Sequence, residues 1–305
     1  MRIPACTIFL VFIVILLVNY TVVAQTLSFQ SHTSAQGLSQ NSVYSIAETD
    51  DGFMWFGTQD GLNRFDGKNF IQVRASKQYS SHTSGEATGF SKMITALGAD
   101  SNWLWVGTTS ELIIYDRFTN RFFNPNAVVK GFSIPENIWV LKVVKDKADN
   151  IWILTRNKGL FCYNKVLQKM CSLKFEGEKP NIISLSWDNN GQLWACSEKV
   201  LYKQTAEGIF GAFAAKDFLQ QPSSSIADMN IVNGMHGVVS NTGHIQILEV
   251  SKNNSITTSS FEKKFSGRKY LADARLMHQS DNNTVWVGSR SEGLIKVSLQ
   301  SATFE

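Results

Sequence analysis

Several features that mark common protein classes are scarce in this chain of 305 residues. It contains four cysteines and five histidines, without a Cys-x-x-Cys pair or clustered histidines, so the spacing that holds metal ions is missing. Lys and Arg form no run longer than pairs such as Lys263-Lys264, although the formal net charge is +4. The sequence has no stripe of basic residues with interleaved aromatic residues, so nucleic-acid binding is not indicated. The motifs GxSxG, HExxH and the phosphate-binding glycine loop are absent, so no catalytic arrangement is indicated.

The first 24 residues have the pattern of a signal peptide. Arg2 supplies a positive start, Ile8 to Val18 is an unbroken apolar run, and small residues precede Gln25, as signal peptidase requires. The apolar run is shorter than the about 20 residues that a spanning helix needs, and an uncleaved anchor is the alternative. Cys6 precedes the run and is therefore not placed as a lipoprotein cysteine. We expect the mature chain to be periplasmic.

Three cysteines remain after such a cleavage, and an odd number leaves at least one without an internal partner. Cys162 and Cys171 fall on consecutive predicted strands, so a cross-strand disulfide is one interpretation. The other is that both, together with Cys196, are small buried apolar residues with free thiols. We expect free thiols, because the sequence does not reveal the Cα–Cα distance that a disulfide needs.

The stretch from Asn41 to Asp66, NSVYSIAETDDGFMWFGTQDGLNRFD, has the pattern of three short strands. Val43 to Ala47 alternates in polarity, and Phe53 to Thr58 is rich in the aromatic residues that strands favour. Asp-Gly pairs separate the segments, and glycine supplies the positive φ of tight hairpin turns. Phe70 to Arg74 is predicted as a fourth strand. Four antiparallel strands form a sheet that cannot bury both faces alone, so it needs neighbouring sheets.

The neighbours come from the same chain, because the second strand returns every roughly 40 to 50 residues. The copies of Trp55-Phe-Gly-Thr are Trp105-Val-Gly-Thr, Trp152-Ile-Leu-Thr, Trp194-Ala-Cys-Ser, the degenerate Gly237-Val-Val-Ser and Trp286-Val-Gly-Ser. A period of this length with four strands per repeat is typical of a β-propeller. The predicted fold class is therefore all-β, a propeller of four-stranded antiparallel blades with about six blades in this chain.

Two runs in the first repeat carry a family resemblance. Gly37-Leu-Ser-Gln-Asn-Ser-Val-Tyr-Ser-Ile, followed by Phe53-Met-Trp-Phe-Gly-Thr-Gln-Asp-Gly-Leu-Asn-Arg-Phe-Asp-Gly, resembles the two-component regulator propeller repeat. The resemblance is strongest in blade one, weakens through blades two to four, nearly fails in blade five and returns in blade six. It implies the periplasmic sensor region of a hybrid two-component histidine kinase of the Bacteroidetes type.

In that family the propellers precede a β-sandwich, a membrane helix, a histidine kinase core, a receiver and often a DNA-binding domain, none of which is in this sequence. Many members sense oligosaccharides released from polysaccharides. The resemblance therefore implies an oligosaccharide or another small periplasmic ligand as partner, and a homodimer as a further option. This portion would contact no nucleic acid. It would reach the membrane only through such later modules or through an uncleaved signal anchor.

We expect a signal peptide at residues 1–24 and a propeller at residues 25–305. The blades are predicted at residues 41–75, 91–124, 137–175, 181–214, 226–266 and 270–305. Blade six has its first three strands by Val297, so its outermost strand has two possible sources. Leu27 to Gln30 would supply it if the ring closes with six blades, whereas Phe304 would begin it in a piece of a longer, seven-bladed sensor. We expect the second arrangement.

Two polar stretches are predicted as loops because of their Ser, Thr, Gly and Asn content. Residues 76–91 connect blades one and two and would extend toward the mouth of the channel or serve as a plain connector. Residues 251–264 would form a loop between the third and fourth strands of blade five.

A ligand site is predicted on one face of the propeller. The loops before the innermost strands and the loops between the second and third strands share that face, around the central channel. Their polar side chains could hydrogen-bond the hydroxyls or carboxylate of a sugar, and ordinary loop packing is the alternative. The candidate ligand-binding residues are Asn41, Gln59, Asp60, Lys92, Asn137, Arg156, Asn157, Asn181, Asn241, Arg290 and Glu292.

Two repeated residue types are predicted to serve the fold. The second-strand tryptophans would pack between blades, and acids such as Asp100, Asp149 and Asp188 would shape turns, because both recur at equivalent positions. Trp139 and Trp187 are predicted on innermost strands that line the channel. A sugar could stack on either of them, with core packing as the alternative.

The sequence thus predicts an extracytoplasmic sensor propeller of a hybrid two-component signalling protein, and no enzyme, cofactor site or metal site in this portion. A stand-alone periplasmic carbohydrate-binding or protein-interaction propeller is the alternative. A propeller lyase or glycosidase is the third hypothesis, and turnover of a bound polysaccharide would distinguish it from the other two.

Overall fold

The computed structural model describes residues 25–73, 93–171, 174–175, 181–188, 190–204, 209–213, 225–232, 234–250, 256–260, 273–281 and 283–301. The predicted signal peptide, Lys92 and the predicted loop at residues 76–91 lie outside these ranges. Within them, helix is limited to one 3-10 turn (Ser34–Gln36) and the four-residue α1 (Pro125–Val128). No helix of the described residues is long and apolar enough to cross a membrane.

The strands of the described residues form six sheets, which are the blades of a β-propeller. β1 (Gln25–His32) precedes blade one. From the channel outwards, blade one contains β2 (Val43–Glu48), β3 (Met54–Thr58), β4 (Gly61–Phe65) and β5 (Phe70–Val73). Blade two contains β6 (Ile94–Ala99), β7 (Trp103–Thr108), β8 (Leu112–Asp116) and β9 (Arg121–Phe123). Blade three contains β10 (Val140–Lys145), β11 (Asn150–Thr155), β12 (Gly159–Asn164) and β13 (Lys169–Met170).

The remaining blades follow the same antiparallel order. The short β14 (Lys174–Phe175) pairs in parallel with the outer strand of blade four, which contains β15 (Ser184–Trp187), β16 (Leu193–Cys196), β17 (Leu201–Gln204) and β18 (Ile209–Phe213). Blade five contains β19 (Ile226–Val232), β20 (Met235–Ser240), β21 (Ile245–Val250) and β22 (Ile256–Ser260). Blade six contains β23 (Ala274–Asp281), β24 (Thr284–Ser289) and β25 (Leu294–Ser301), with β1 outermost. β22 lies within residues 251–264, where a loop was predicted. That prediction is wrong for the five residues of β22, which pair with β21 as the fourth strand of blade five.

β1 closes the ring by pairing antiparallel with β25, from Gln25 opposite Ser301 to His32 opposite Leu294. Blade six then packs directly on blade one, where Val43 and Phe56 share a core with Trp286. The seven-bladed ring that we expected is therefore wrong for this structure, because blades one and six leave no gap for another blade. The outermost position of blade six, expected to begin at Phe304, is occupied by β1.

The second-strand tryptophans pack between blades, as predicted. All five are between 1% and 4% exposed: Trp55, Trp105, Trp152, Trp194 and Trp286. Each packs with residues of the next blade around the ring; Trp105, for example, shares a core with Val140 and Tyr163 of blade three. The burial of a large indole at every one of these interfaces supplies much of the apolar area that holds the blades together.

The aspartates that precede the tryptophans do two structural jobs. Asp100 Oδ1 accepts a turn hydrogen bond from Asn102 N at 2.7 Å, and its Oδ2 accepts the indole N–H of Trp105 at 2.8 Å. Asp146 and Asp188 repeat both bonds in blades three and four. The turn role predicted for Asp100 and Asp188 is confirmed, whereas in blade three it belongs to Asp146 and not to the predicted Asp149. The second oxygen of each of the three acids also satisfies a buried donor.

The glycine of the Trp-x-Gly motif allows the next blade to approach. A methyl group at Gly107 would meet Val140 of blade three at 2.6 Å, and one at Gly288 would meet Val43 of blade one at 3.0 Å. Side chains at these positions would push the innermost strands apart. The tryptophan of the motif therefore fills the interface between two blades, and its glycine allows the two blades to pack closely.

Cys162 and Cys171 form a disulfide with a Cα–Cα distance of 5.1 Å, while Cys196 is free and buried. The expectation of free thiols at the first two positions is wrong. Pairing of β12 with β13 sets Tyr163 opposite Met170, so the next residues, Cys162 and Cys171, come face to face. Burial raises the pKa of the Cys196 thiol well above its usual range, which keeps it in the unreactive protonated form.

Candidate functional site

A cavity of about 230 Å³ lies in the central channel. All six blades contribute to its wall, through their innermost strands or the residues just before them. The lining residues are Tyr44, Ser45, Ile46, Met93, Thr95, Ala96, Leu97, Trp139, Leu141, Lys142, Ile183, Ala227, Asp228, Asn230, Arg275, Leu276 and Met277. A molecule bound there would therefore contact every blade, which makes the cavity the candidate site.

A shared irregularity of the first strands shapes the wall. Five of these strands shift register near their start, and the residue at each shift lines the cavity: Tyr44, Thr95, Leu141, Ala227 and Arg275. A β-bulge leaves its extra residue outside the regular pairing and turns that side chain away from the ladder. In blade four, Ile183 takes this place just before the strand begins. Five blades thus present one bulged residue each to the channel, and blade four presents Ile183 without a bulge.

Lys142 forms a polar network that links blades three, four and five. Its ammonium contacts Asp228 Oδ1 and donates to Ser184 Oγ and to the carbonyl of Met229, both at 3.0 Å. Ser184 Oγ also donates to Asp228 Oδ1 at 2.7 Å. The lysine and aspartate side chains are 18% and 12% exposed. The three N–H groups of the ammonium therefore all have acceptors, and the pair is electrically neutral.

Arg275 and Tyr44 face each other across the junction of blades six and one. The guanidinium carbon lies 3.9 Å from the centre of the Tyr44 ring, as in a stacked cation–π contact. Among the described residues Arg275 has no acidic partner within ion-pair distance. It is the second cation of the cavity wall, which holds a single carboxylate, that of Asp228.

Trp139 lies at the mouth of the cavity, before β10. Arg156 stacks over its ring at 4.6 Å, and the Arg156 N–H donates to the Trp139 carbonyl at 2.8 Å. The predicted channel position of Trp139 is thus confirmed. Trp187 instead packs against Trp152, with ring centres 6.1 Å apart, and does not line the cavity.

His278 lies on β23, within electrostatic reach of the Lys142 network. Burial and the positive charge of Lys142 lower its pKa to about 4, although Asp228 acts in the opposite direction. Its Nε2 is out of contact with solvent and has no hydrogen-bond partner among the described residues. The imidazole is therefore neutral at physiological pH and adds no charge near the channel.

The loops that we expected to share one face do so. Main-chain hydrogen bonds join the two sets of loops: Gln59 N–H donates to the Ser42 carbonyl at 3.1 Å, and Asn241 N–H donates to the Ser225 carbonyl at 2.8 Å. Arg290 N–H donates in the same way to the Asp273 carbonyl at 3.1 Å. The candidate residues of the described chain thus surround the mouth of the channel.

None of the predicted ligand-binding residues that the structure describes lines the cavity itself. Some of their side chains take part in loop hydrogen bonds: Asn41 Oδ1 accepts from Ser34 N at 2.8 Å, and Asn157 Nδ2 donates to the Asn137 carbonyl at 3.0 Å. The guanidinium of Arg290 donates to the Asn241 carbonyl. The side chains of Gln59, Asp60, Asn181 and Glu292 are exposed. A ligand role for these loop residues stays a prediction.

The polar residues of the cavity wall were not predicted from the sequence, because the ligand site was assigned to the loops. A signal was present in the first strands. The position after the bulge is equivalent in all six blades and is filled by Ser45, Ala96, Lys142, Ser184, Asp228 and Leu276. Charged residues occupy this channel position in two blades alone, and an alignment of the repeats would have shown that difference.

Comparison with known proteins agrees with this architecture. Residues 37–60 match the family model described as "Two component regulator propeller". A stretch of 50 residues is 46% identical to "Histidine kinase P4" of Formosa agariphila; it makes up 16% of this chain and 4% of that protein. The family match thus lies in blade one, and the 50-residue stretch spans a small part of the relative.

Solved structures share the fold at low sequence identity. The extracellular domain of BT3049 from B. thetaiotaomicron, described as a hybrid two component system, aligns over 92% of this chain and 43% of its own, with a TM-score of 0.54 and 20% identity. The extracellular domain of BT4673 from the same organism aligns over 90% of this chain and 40% of its own, with a TM-score of 0.56 and 15% identity. A streptogramin B lyase aligns over 92% and 100%, with a TM-score of 0.58 and 11% identity.

This chain thus spans less than half the length of the sensor domains that it resembles. Similarity at this level of identity establishes the propeller fold, and the family match adds the type of repeat in blade one. The chain is a six-bladed β-propeller that carries the two-component regulator propeller repeat and resembles the extracellular domains of hybrid two-component systems.

Proposed function

We propose that this chain is the ligand-sensing propeller of a hybrid two-component signalling protein, that it works in the periplasm, and that it responds to an oligosaccharide. The observation that carries the proposal is a channel cavity whose wall is built by all six blades. A ligand in such a cavity influences the arrangement of the whole ring. The sensor repeat in blade one and the likeness to extracellular sensor domains support the same proposal.

The chemistry of the wall suits the end of a sugar chain. The rings of Tyr44 and Trp139 offer flat surfaces for the C–H faces of a pyranose. Arg275 offers N–H donors and Asp228 offers acceptor oxygens for hydroxyl groups, while Leu141 and its apolar neighbours exclude water. Ligand sites commonly combine a largely apolar wall with a few polar groups that set the orientation of the ligand.

Signalling would follow from binding alone. A ligand that contacts several blades favours the arrangement of the ring, or of two protomers, in which those contacts are best made. The signal is then limited to the difference between the affinities of the ligand for the two arrangements. A kinase elsewhere in the full-length protein, and a homodimer that passes on the bias, are parts of this proposal.

The test is a calorimetric titration of the full chain with a panel of neutral and acidic oligosaccharides. Ala227→Phe fills the cavity from blade five and should abolish binding, whereas Val166→Phe, at an exposed turn, should not change it. Circular dichroism checks that both variants fold. If no oligosaccharide binds, or if Ala227→Phe binds as well as wild type, the proposal is wrong.

A propeller lyase is the second candidate, because a streptogramin B lyase shares the fold. Mass spectrometry of any bound oligosaccharide after incubation would reveal a cleaved product if the chain is an enzyme. The stand-alone binding propeller is tested in the native cell. A protein much longer than 305 residues that sediments with membranes supports the sensor, and a soluble periplasmic protein of this length supports the stand-alone binder.

A further inference from the structure

We infer that the channel cavity takes a carboxylate carried on a single sugar-sized ring, and that Arg275 binds this carboxylate. The inference rests on the proposed function, because it names the ligand class for the same cavity. Three observations carry it: the balance of charges in the wall, the contact of Arg275 with Tyr44, and the volume of the cavity.

The wall has one positive charge that is not neutralised. Lys142, Asp228 and Arg275 are its three charged residues. The lysine ammonium already has three acceptors, and the carboxylate of Asp228 accepts from both the ammonium and Ser184. Arg275 has no acidic partner among the described residues. The described residues of the wall therefore carry a net charge of about +1, which one anionic group on a ligand would balance.

The contact of Arg275 with Tyr44 uses none of its hydrogen-bonding groups. Its guanidinium carbon lies 3.9 Å from the centre of the Tyr44 ring, and its N–H groups have no hydrogen-bond partner among the described residues. This planar fork matches the two oxygens of a carboxylate, which a lysine ammonium cannot do. The aromatic contact also restricts the side chain before binding, so less conformational entropy is lost.

The charges of the wall favour a single negative charge over two. Asp228 would repel a second anionic group, since the three N–H groups of Lys142 already have acceptors. Apolar residues of the wall, such as Leu276 and Met277, keep the local dielectric low, which strengthens both attraction and repulsion. A monoanion with an otherwise uncharged body fits these conditions.

The volume limits the part of the ligand that enters. The cavity volume of about 230 Å³ lies below the ~300–1,000 Å³ of pockets that hold drug-sized ligands, which favours a ligand about as large as one pyranose ring. One acidic ring, either free or at the end of a chain, is therefore the unit that the channel recognises.

The test uses three probes that share one ring and differ at a single substituent: glucuronate, glucose 6-sulfate and glucose. Calorimetric titration of the full chain should show saturable binding of glucuronate and at least about tenfold weaker binding of glucose, because a charge-assisted hydrogen bond contributes about 1.5–3 kcal/mol. The sulfate monoester should bind more weakly than the carboxylate, since its oxygens are less basic and accept weaker hydrogen bonds, and the group is larger for a cavity of about 230 Å³.

Arg275→Gln should abolish the preference for glucuronate over glucose, and Arg275→Lys should retain only part of it. Arg64→Gln is the matched control: Arg64 also stacks on an aromatic ring, that of Phe53 at 4.6 Å, but lies outside the cavity. The control should bind glucuronate like wild type. Thermal unfolding of each variant shows whether a loss of binding reflects a loss of folding.

Each result decides the inference. Equal binding of glucuronate and glucose, no binding of glucuronate at millimolar concentration, or an unchanged preference in folded Arg275→Gln would overturn it. Tighter binding of glucose 6-sulfate would overturn the carboxylate assignment. If a neutral oligosaccharide binds wild type and Arg275→Gln equally, the sensing proposal stands and this inference falls. If no sugar of any kind binds, both are wrong.

Discussion

The second strands and the innermost strands of the six blades use the same repeat in opposite ways. In the second strands, one position is nearly uniform and is filled by Trp55, Trp105, Trp152, Trp194, Gly237 and Trp286. In the innermost strands, the position after the bulge varies and is filled by Ser45, Ala96, Lys142, Ser184, Asp228 and Leu276. The uniform position is buried between blades, whereas the varied position lines the channel in every blade except blade four, where Ser184 bonds to Lys142 and Asp228.

This difference follows from what each position contacts. A second-strand position meets the same surroundings in each blade, namely the core of the next blade, so one bulky residue type fits at nearly all of them. The channel positions of all six blades meet at one shared space. A lysine there depends on an aspartate two blades away. Uniform positions thus report the fold, and positions that differ among the blades report the site.

Blade five is the exception to the uniform tryptophan of the second strands. Gly237 stands where the other blades have tryptophan, and a side chain there would collide with Met277. Met277 and Val232 pack near this position, and Met277 also lines the cavity. Glycine thus replaces tryptophan in blade five, which supplies Asp228. Blade five lies next to blade six, which supplies Arg275.

The largest effect is expected where the repeat is uniform. Trp105→Ala should lower the free energy of unfolding by about 3–5 kcal/mol, because it leaves a large cavity between blades two and three. Chemical denaturation measures the change. Phe118→Ala is the control in the same blade, since its ring is 79% exposed and its loss should cost about 0.5 kcal/mol or less. Equal effects of the two variants would refute the interface role.

A smaller loss is expected at the varied position. Asp228→Ala should cost about 2 kcal/mol, because it leaves the Lys142 ammonium in the channel without its counter-charge. The double variant Lys142→Met with Asp228→Leu removes both charges and should recover most of the loss. Urea unfolding of the three proteins measures both steps. If the double variant is less stable than Asp228→Ala, then the network stabilises the ring by more than charge balance.

Stability should also depend on pH through His236 of blade five. This residue is 4% exposed and packs on Trp194, with ring centres 4.5 Å apart. Burial lowers its pKa to about 4, with Lys203 acting in the same direction and Asp188 in the opposite one. The unfolded chain, with an ordinary histidine pKa near 6.5, therefore binds the proton more readily than the folded chain as the pH falls.

This contribution to stability is complete above about pH 6.5 and is lost as the pH falls toward 4, by on the order of 1 kcal/mol per pH unit. His236→Phe should reduce the slope of the pH dependence in that window, and the remaining slope should come from His278, whose pKa is lowered in the same way. His244→Gln, at an exposed position in the same blade, is the control. An unchanged slope in folded His236→Phe would contradict the assignment.

The smallest effect is expected for a Lys–Asp pair outside the channel. Lys145 Nζ lies 3.5 Å from Asp149 Oδ1, with side chains 32% and 48% exposed. Water screens such a pair, and asparagine tolerates the positive φ of 62° at this position. Asp149→Asn should therefore change the free energy of unfolding by about 0.5 kcal/mol or less. Comparison with Asp228→Ala in the same urea series isolates the effect of the channel environment. Equal losses would mean that the channel does not strengthen its ion pair.

Most of the fold could be predicted from the sequence, because it depends on local interactions that recur in each repeat. The strand pattern around Trp55, the Asp-Gly turns and the period of the repeat were enough to predict a propeller and its inter-blade tryptophans. The ring closure was harder: the number of blades depends on how blade one meets blade six, which is set by the packing of Val43 on Gly288. Likewise the Cys162–Cys171 bond depends on a strand register that residue spacing leaves open.

The sequence analysis placed the ligand site in the loops, whereas the cavity in the channel is lined by other residues. Loop residues such as Arg156 and Asn157 are polar and attract attention in a sequence, yet several of their hydrogen-bonding groups serve the loops themselves. Arg275 and Tyr44 are more than 200 residues apart in the chain and gave no sign of a shared role. Their contact exists only because the last blade returns to the first.

Local interactions within each repeat thus specify the kind of blade, since turns, alternation and the second-strand tryptophan act over a few residues. The ring of six, its closure by β1 and the charge left over in the channel arise from contacts between blades. Such contacts join residues from distant parts of the chain, and their energies depend on distances and burial that no single repeat contains. For that reason the sequence repeats are enough to predict a propeller, whereas the position of Arg275 beside the Lys142–Asp228 pair is seen only in the assembled ring.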